Sequence, residues 1–232
     1  MIFKMIKNIL LDLDDTILDF HKAEKIALST TLRKIGIEPT EKILSLYSEI
    51  NRRHWKLLEV GKLTRHEVLH GRFTELFNTL NVRGDCYEAQ RIYEWELGTG
   101  HYFLDGAQAL LDALYAKYDL YLASNGTDIV QTRRIASAEI GHYFKELFIS
   151  QRLGYDKPNP EFFRLAFEKI ENFKKEETVI IGDSLSSDIL GGINAGITTI
   201  WFNPHNYDAQ ENIRPDYTVY KLDEIPALLE RI

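Results

Sequence analysis

The sequence has few features of secreted or membrane proteins. Its 232 residues include a single cysteine, Cys86, which excludes an internal disulfide framework and indicates a reducing compartment. No stretch approaches the roughly 18 uninterrupted apolar residues that a membrane-spanning helix needs. The first apolar run, Ile9 to Leu11, is cut by Asp12 too early to serve as the h-region of a signal peptide. We therefore expect a cytoplasmic protein that makes no contact with membranes.

Acidic residues outnumber basic residues in the chain. The chain has 28 Lys and Arg against 35 Asp and Glu, a formal net charge of -7. Such a chain has no positive excess to neutralise the phosphates of a nucleic acid polymer, so a polymer is not the expected partner. Hydrophobic residues make up 44% of the chain, enough to fill a core at this length. The composition indicates a globular protein, and a small anionic substrate would need a local positive group.

Short apolar runs that end in polar residues recur five times along the chain. Each is typical of a buried parallel strand, and they cover residues 9–13, 120–123, 147–149, 179–181 and 198–202. Helical patterns separate the last four runs, at 127–137, 159–170 and 185–195. This alternation predicts an α/β fold with a Rossmann-like, doubly wound parallel sheet at its core.

The segment between the first two predicted strands is different. Residues 19–97 hold about four helix-like patterns, broken at Pro39, Gly61 and Gly84. We predict an α-helical cap, residues 19–98, inserted into a catalytic core formed by residues 1–18 and 99–232. Glycines allow the chain to bend where it returns to the core, which predicts a hinge near Gly98, Gly100 and Gly106.

Two of the predicted strands end in carboxylates. Asp12 and Asp14 follow the first strand, and strand periodicity places them on the same side of the chain. Asp183 closes the fourth strand, and Asp188 lies near the start of the next helix. Ligands of open α/β sheets bind at the carboxyl edge, so we expect these side chains to meet there. Crowded carboxylates repel one another unless a cation neutralises them, and hard oxygen ligands with room for phosphate oxygens favour Mg²⁺.

Two loops predict groups that could hold an anion at the same edge. Lys157, in the loop Asp156 to Pro160, could supply a fixed positive charge. Ser124-Asn125-Gly126 closes the second strand and offers a hydroxyl and backbone N–H groups near the start of a helix. These groups indicate a negatively charged substrate.

These residues occur in an order that resembles a known family. Asp12-x-Asp14-x-Thr16, then Ser124, Lys157 and Gly182-Asp183 with Asp188 resemble, across the entire chain, the four motifs of the haloacid dehalogenase superfamily, subfamily IA. Two further stretches resemble the bacterial pyrimidine 5′-nucleotidases of the YjjG and YfnB type. They are Ser187 to Gly196 and His70-Gly71-Arg72-Phe73.

The resemblance implies a magnesium-dependent phosphatase that hydrolyses a small phosphate monoester, with a nucleoside 5′-monophosphate as the implied substrate. Asp12 would attack phosphorus and form an aspartyl-phosphate, while Asp14 would protonate the leaving oxygen and later activate water. The implied Mg²⁺ ligands are Asp12, the backbone carbonyl of Asp14 and Asp183, with Asp188 as a ligand or close neighbour. The implied contacts to the substrate are Ser124, Asn125 and Lys157.

Several alternatives stay open at this point. A sugar-phosphate phosphatase or phosphomutase would share all four motifs. A 2-haloacid dehalogenase would use the same aspartate on carbon, without a metal and without an acid at the position of Asp14. A non-catalytic binding module would not need the complete set of reactive groups that is present.

The cap carries two further patterns. His66-Glu67-Val68-Leu69-His70 matches the helical zinc signature of metalloproteases, but the sequence offers no evident third ligand, so we do not expect zinc. Several aromatic residues recur at helical spacing in the cap. We expect them to form the cap's own core rather than to stack on a base; they are Tyr47, Trp55, Phe73, Phe77 and Trp95.

Overall fold

The computed structural model describes residues 5–209 and 212–232, so residues 1–4 of the predicted core lie outside it. Within this part of the chain, six strands form one parallel sheet in the order β3-β2-β1-β4-β5-β6. The strands are β1 (Asn8–Leu11), β2 (Asp119–Ser124), β3 (Phe144–Ile149), β4 (Thr178–Gly182), β5 (Thr198–Phe202) and β6 (Tyr217–Val219). The predicted α/β fold with a parallel sheet is confirmed.

The sheet is covered on both faces because successive residues of each strand point to opposite sides. Ile9 and Leu11 of β1 belong to one hydrophobic cluster, and Leu10 belongs to another. The covering helices of the core are α5 (Ala107–Tyr115), α6 (Asp128–Ser137), α7 (Ser150–Leu153), α8 (Pro160–Phe167), α9 (Leu190–Ala195) and α10 (Glu224–Leu229). This packing explains why residues 9–11 of β1 and 179–181 of β4 are consecutively apolar rather than alternating.

Four helices lie between β1 and α5, and we call them the cap. They are α1 (Phe20–Lys34), α2 (Glu41–Glu59), α3 (Arg65–Leu80) and α4 (Cys86–Leu97). Each begins after a side chain that accepts a hydrogen bond from the first turn, the usual role of Asp and Thr at this position; these residues are Asp19, Thr40, Thr64 and Asp85. Among the described residues, no helix is both long and apolar enough to cross a bilayer.

The cap has a hydrophobic cluster of its own. Tyr47, Phe73 and Phe77 are buried in it, as expected for aromatic residues at helical spacing. Trp95 instead lies on the surface, 63% exposed, with the guanidinium of Arg133 3.9 Å from its ring centroid. Trp55 faces a cavity between cap and core. The prediction that all five aromatic residues form the core of the cap is therefore wrong for Trp55 and Trp95.

The chain crosses between core and cap at two neighbouring points. The backbone N–H of Asp19 donates to the carbonyl of Tyr102 (2.7 Å), and that of Leu104 donates to the carbonyl of Ile17 (3.0 Å). The outgoing and returning segments thus run antiparallel, side by side. The domain limits at residues 18 and 99 and the hinge remain predictions.

Candidate active site

Three carboxylates meet at the carboxyl edge of the sheet, at one end of a cavity of about 250 Å³. Asp12 follows β1 and Asp183 follows β4, which is its neighbour in the sheet. Asp188 lies in a π-helical turn, Leu185–Ile189, that leads into α9. Ligand oxygens of these three residues all lie within 4.8 Å of one another. The structure therefore brings two distant parts of the chain together in a single acidic cluster.

A glycine allows Asp188 to reach this cluster. A Cβ atom at Gly182 would lie 2.3 Å from Cγ of Asp188, closer than any real contact. The Asp188 side chain is also fixed by the backbone N–H of Ser184, which donates to Oδ2 over 3.1 Å. The Gly182-Asp183 pair thus has two functions, since the glycine makes room for one carboxylate and the aspartate supplies another.

Lys157 lies inside the acidic cluster and is 1% exposed. Its Nζ donates to Oδ1 of Asp12 (2.8 Å), to Oδ1 of Asp188 (2.6 Å) and to the carbonyl of Ala123. These bonds use all three N–H groups of the ammonium. Burial by itself would lower the pKa of Lys157, but the Asp12 and Asp188 carboxylates raise it, so the side chain stays charged.

The cluster has more negative charge than Lys157 balances. Burial raises the pKa of Asp12 to about 8 and that of Asp183 well above its usual range, and the neighbouring carboxylates add to both shifts. Three carboxylates this close are not all ionised unless a further cation is present. Hard oxygen donors at this spacing suit Mg²⁺, which is bound through a few carboxylates together with substrate phosphate and water. The residues of the cluster therefore fit the predicted metal.

Asp14 lines the same cavity, and two side chains of α6 hold it in place. Arg134, which is completely buried, forms an ion pair with Oδ1, and Nε2 of Gln131 donates to Oδ2 over 2.7 Å. Arg134 also donates from Nε to the carbonyl of Gly100 (2.8 Å), at the point where the chain returns from the cap. Gln131 and Arg134 are three positions apart on a predicted helix and therefore share a face. That spacing was the sequence signal available for them.

Ser124 ends β2 and is 1% exposed. Its Oγ accepts hydrogen bonds from Nε2 of Gln131 (2.7 Å) and from the backbone N–H of Gly126 (3.2 Å). Because the oxygen acts as acceptor in both bonds, the hydroxyl proton is available to an anion in the cavity.

Asn125 follows Ser124, and both the nitrogen and the oxygen of its side-chain amide bond to the backbone of Lys157. Nδ2 donates to the carbonyl of Lys157 and Oδ1 accepts from its backbone N–H, each over 2.8 Å. This pair of bonds fixes the loop that carries Lys157. Asn125 lines the cavity, but its role as a substrate contact remains a prediction.

The cap forms the opposite wall of the cavity and is bound to the core on two sides. On one side Arg65 donates to the carbonyl of Asn125 (3.1 Å) and to Oγ of Ser150 (2.6 Å), and it forms an ion pair with Asp156. On the other side, Oγ of Ser186 donates to Glu59 over 2.8 Å. The cap therefore covers the cavity but leaves it partly open to solvent.

The zinc pattern of the cap has another explanation. Glu67 accepts hydrogen bonds from the backbone N–H and the hydroxyl of Thr64, both over 2.7 Å, and so caps α3. The rings of His66 and His70 contact each other in a tilted arrangement, with centroids 4.3 Å apart. Within residues 5–209 and 212–232, the group of three or more close metal-type ligands is the acidic cluster, not this pair. The residues of this pattern thus form the N-terminal part of α3.

Comparison with known proteins agrees with the fold and the motifs. The haloacid dehalogenase-like hydrolase family model matches residues 6–196. The chain is 39% identical over 227 residues to pyrimidine 5′-nucleotidase PynA of Streptococcus pneumoniae, covering 97% of this chain and 95% of that protein. It is 32% identical to pyrimidine 5′-nucleotidase YjjG of Escherichia coli, with 95% and 96% covered.

A solved structure is also similar over nearly the full length. The crystal structure of the HAD-hydrolase YfnB of Bacillus subtilis bound to magnesium superposes with a TM-score of 0.93 at 37% identity, covering 97% of this chain and 99% of that one. The family match, the curated relatives and this structural similarity together show that the chain belongs to the haloacid dehalogenase-like hydrolase family.

Proposed function

We propose that the protein is a magnesium-dependent phosphatase that hydrolyses nucleoside 5′-monophosphates through an aspartyl-phosphate on Asp12. The observation that carries this proposal is the acidic cluster at the end of a cavity beneath the cap, with Asp12 paired to the buried Lys157. A carboxylate needs no partner base to act as a nucleophile, unlike a serine hydroxyl. The cluster thus combines a nucleophile with fixed positive charge for an anionic substrate.

In the first step, an Asp12 oxygen attacks phosphorus in line and forms the new P–O bond while the bond to the leaving oxygen breaks. Asp14 donates its proton to that oxygen, so the nucleoside leaves as a neutral alcohol. Arg134 and Gln131 hold the Asp14 carboxyl group in position. The Ser124 hydroxyl donates to a phosphoryl oxygen, a contact that stabilises charge developing in the transition state.

In the second step, Asp14 removes a proton from water, and the resulting nucleophile attacks phosphorus. The bond between phosphorus and the Asp12 oxygen breaks, which regenerates the carboxylate and releases inorganic phosphate. Lys157 keeps a positive charge beside Asp12 throughout. Phosphoryl transfer depends mainly on positioning and charge neutralisation, and these side chains supply both.

Mg²⁺ would be held by the carboxylates of Asp12, Asp183 and Asp188 and by the backbone carbonyl of Asp14. When bound, it would supply positive charge that keeps the carboxylates ionised and neutralises the phosphoryl oxygens. The magnesium of the YfnB crystal structure supports this assignment.

The names of the relatives support a nucleotide as substrate, since PynA and YjjG are both pyrimidine 5′-nucleotidases. The cavity supports a small leaving group, because about 250 Å³ is close to the lower end of the roughly 300–1,000 Å³ typical of small-molecule sites. A cavity of this size, covered by the cap, favours a small substrate over a polymer. A second aspartate, Asp14, lines the cavity together with Asp12, which favours phosphatase over dehalogenase chemistry, because the latter needs no acid there.

The test is a phosphate-release screen with Mg²⁺ over pyrimidine nucleotides, purine nucleotides and sugar phosphates. We expect nucleotides to be favoured, and we expect Asp12→Asn to abolish release. Asp112→Asn, an exposed change on α5, is the matched control and should act like the wild type. A preference for sugar phosphates would contradict the nucleotidase assignment, whereas full activity of Asp12→Asn would contradict the phosphatase mechanism.

A further inference from the structure

The two ends of the cavity differ in chemistry. The core end carries the acidic cluster, Lys157 and Ser124, where the phosphoryl group would react. The leaving group must therefore lie toward the cap, whose wall is formed by Phe20, Trp55, Glu59, Leu69, Arg72, Glu94 and Leu97. Four of these side chains are apolar or aromatic, and three are charged. The cap wall thus favours a leaving group that has an apolar surface as well as polar atoms.

Arg72 stands out in this wall because it is a cation that is only 3% exposed. Its Nη1 donates to Oδ1 of Asn51 (2.7 Å), and its Nη2 and Nε donate to Oε1 of Gln90 (2.9 and 3.3 Å). A guanidinium has five N–H groups, and these bonds use three. In the part of the chain that the structure describes, the other two N–H groups of this cavity-lining side chain have no hydrogen-bond acceptor.

The charge of Arg72 also lacks a direct counterion. No carboxylate among the described residues forms an ion pair with it, and the nearby Glu24 is reached only through Asn51, whose Nδ2 donates to Glu24 over 2.6 Å. Its guanidinium lies 4.9 Å from the ring centroid of Tyr93, which holds its plane in place. A buried cation with spare donors and a fixed orientation favours a ligand with hydrogen-bond acceptors.

The apolar part of the cap wall favours a flat ligand over a bare sugar. Trp55, Leu69 and Leu97 offer apolar surface, which suits the face of a ring better than the hydroxyl groups of a sugar. A pyrimidine base has such faces and carries the O2 carbonyl acceptor at its edge; of the two common purines, guanine also has a carbonyl group and adenine has none. The cap wall matches the pyrimidine on both counts.

We propose that Arg72 is the specificity-determining residue of the cap and that it donates hydrogen bonds to the carbonyl edge of a pyrimidine base. The inference rests on the proposed function and deepens it by assigning the base preference to one side chain. Arg72 takes no part in the chemistry at phosphorus. Its contribution is a difference in binding between bases, so it acts on selectivity.

The experiment compares kcat/KM for UMP, AMP and ribose 5-phosphate in the wild type, Arg72→Met and Arg72→Lys. A hydrogen bond to a charged group corresponds to a factor of about 10 to 150. We expect the UMP to AMP ratio to fall by that factor in Arg72→Met. Arg72→Lys keeps the positive charge and most of the side-chain volume but removes the planar pair of donors. It should lower the UMP to AMP ratio in the same way while disturbing the fold less than Arg72→Met. Tyr93→Phe is the control for altered packing around Arg72 and should keep the wild-type ratio.

The outcomes separate the inference from the proposed function. A wild type that prefers UMP, together with Arg72 variants that keep this preference within about threefold, would overturn the role of Arg72 and leave the nucleotidase intact. An equal fall for all three substrates would also overturn it, because that pattern marks a structural role. A wild type that hydrolyses ribose 5-phosphate but no nucleotide would overturn both.

Discussion

Replacing Arg134 by methionine removes the buried cation that holds Asp14, and the structure allows the cost to be worked out. Breaking a buried ion pair by removing one partner costs about 3–5 kcal/mol. The Asp14 side chain is 28% exposed, so water replaces part of the lost interaction and we expect about 2–3 kcal/mol. At this chain length 1 kcal/mol shifts the melting temperature by about 2–4 °C. The expected decrease is therefore about 4–12 °C.

The assay is thermal unfolding followed by circular dichroism, with the chelator and ionic strength held constant. Arg133→Met is the matched control, because Arg133 is adjacent on α6 and rests on the exposed ring of Trp95. Its loss should cost less than about 1 kcal/mol. The double variant Arg134→Met with Asp14→Asn should be less destabilised than the sum of its two single changes by about 1 kcal/mol or more. Equal shifts for the two arginine variants, or strict additivity, would refute the assigned pair.

Three further predictions follow from the geometry of the site. Gly182→Ala places a methyl group 2.3 Å from Cγ of Asp188. Mg²⁺ affinity measured by calorimetry should therefore fall at least about 10-fold, as it does when a group that positions a metal ligand is lost. The control variant Gly141→Ala, whose new methyl group has its nearest contact at 3.5 Å, should bind Mg²⁺ normally. Asn125→Ala removes two hydrogen bonds to the Lys157 backbone and should lower stability by about 1–3 kcal/mol with a fall in kcat; unchanged kcat would show that the loop is fixed by other contacts. Mg²⁺ at 100 times its Kd should stabilise the protein by about 2.7 kcal/mol, and a thermal shift that is absent with Mg²⁺ would contradict the metal site.

The acidic cluster could be predicted because its position follows from sheet geometry. The carboxyl ends of parallel strands lie at one edge, so carboxylates after two apolar runs, at Asp12 and Asp183, had to lie at the same edge. The short strand β6 was not predicted, since Tyr217 is partly exposed and three residues are too few to show a period. Helix α5 was also missed, although Leu110, Leu111 and Leu114 repeat at helical spacing within it.

The partners of the predicted residues were much harder to find. Arg134 and Asp14 are 120 positions apart, and Asn125 and Lys157 are 32 apart. No local pattern marks such pairs, because each depends on how two distant segments approach after the sheet has formed. Sequence reasoning therefore identified which residue types reach the cavity. It could not show that the Asn125 amide is occupied by the Lys157 loop.

The antiparallel pairing of the two segments that join cap and core has an evolutionary consequence. Because the chain leaves and re-enters the core at adjacent points, residues can be added to or removed from the four helices without changing the spacing of β1 and β2. Insertions whose ends are close together are well tolerated for this reason. Substrate range and phosphorus chemistry can therefore diverge independently, since mutations in one compact unit leave the other intact.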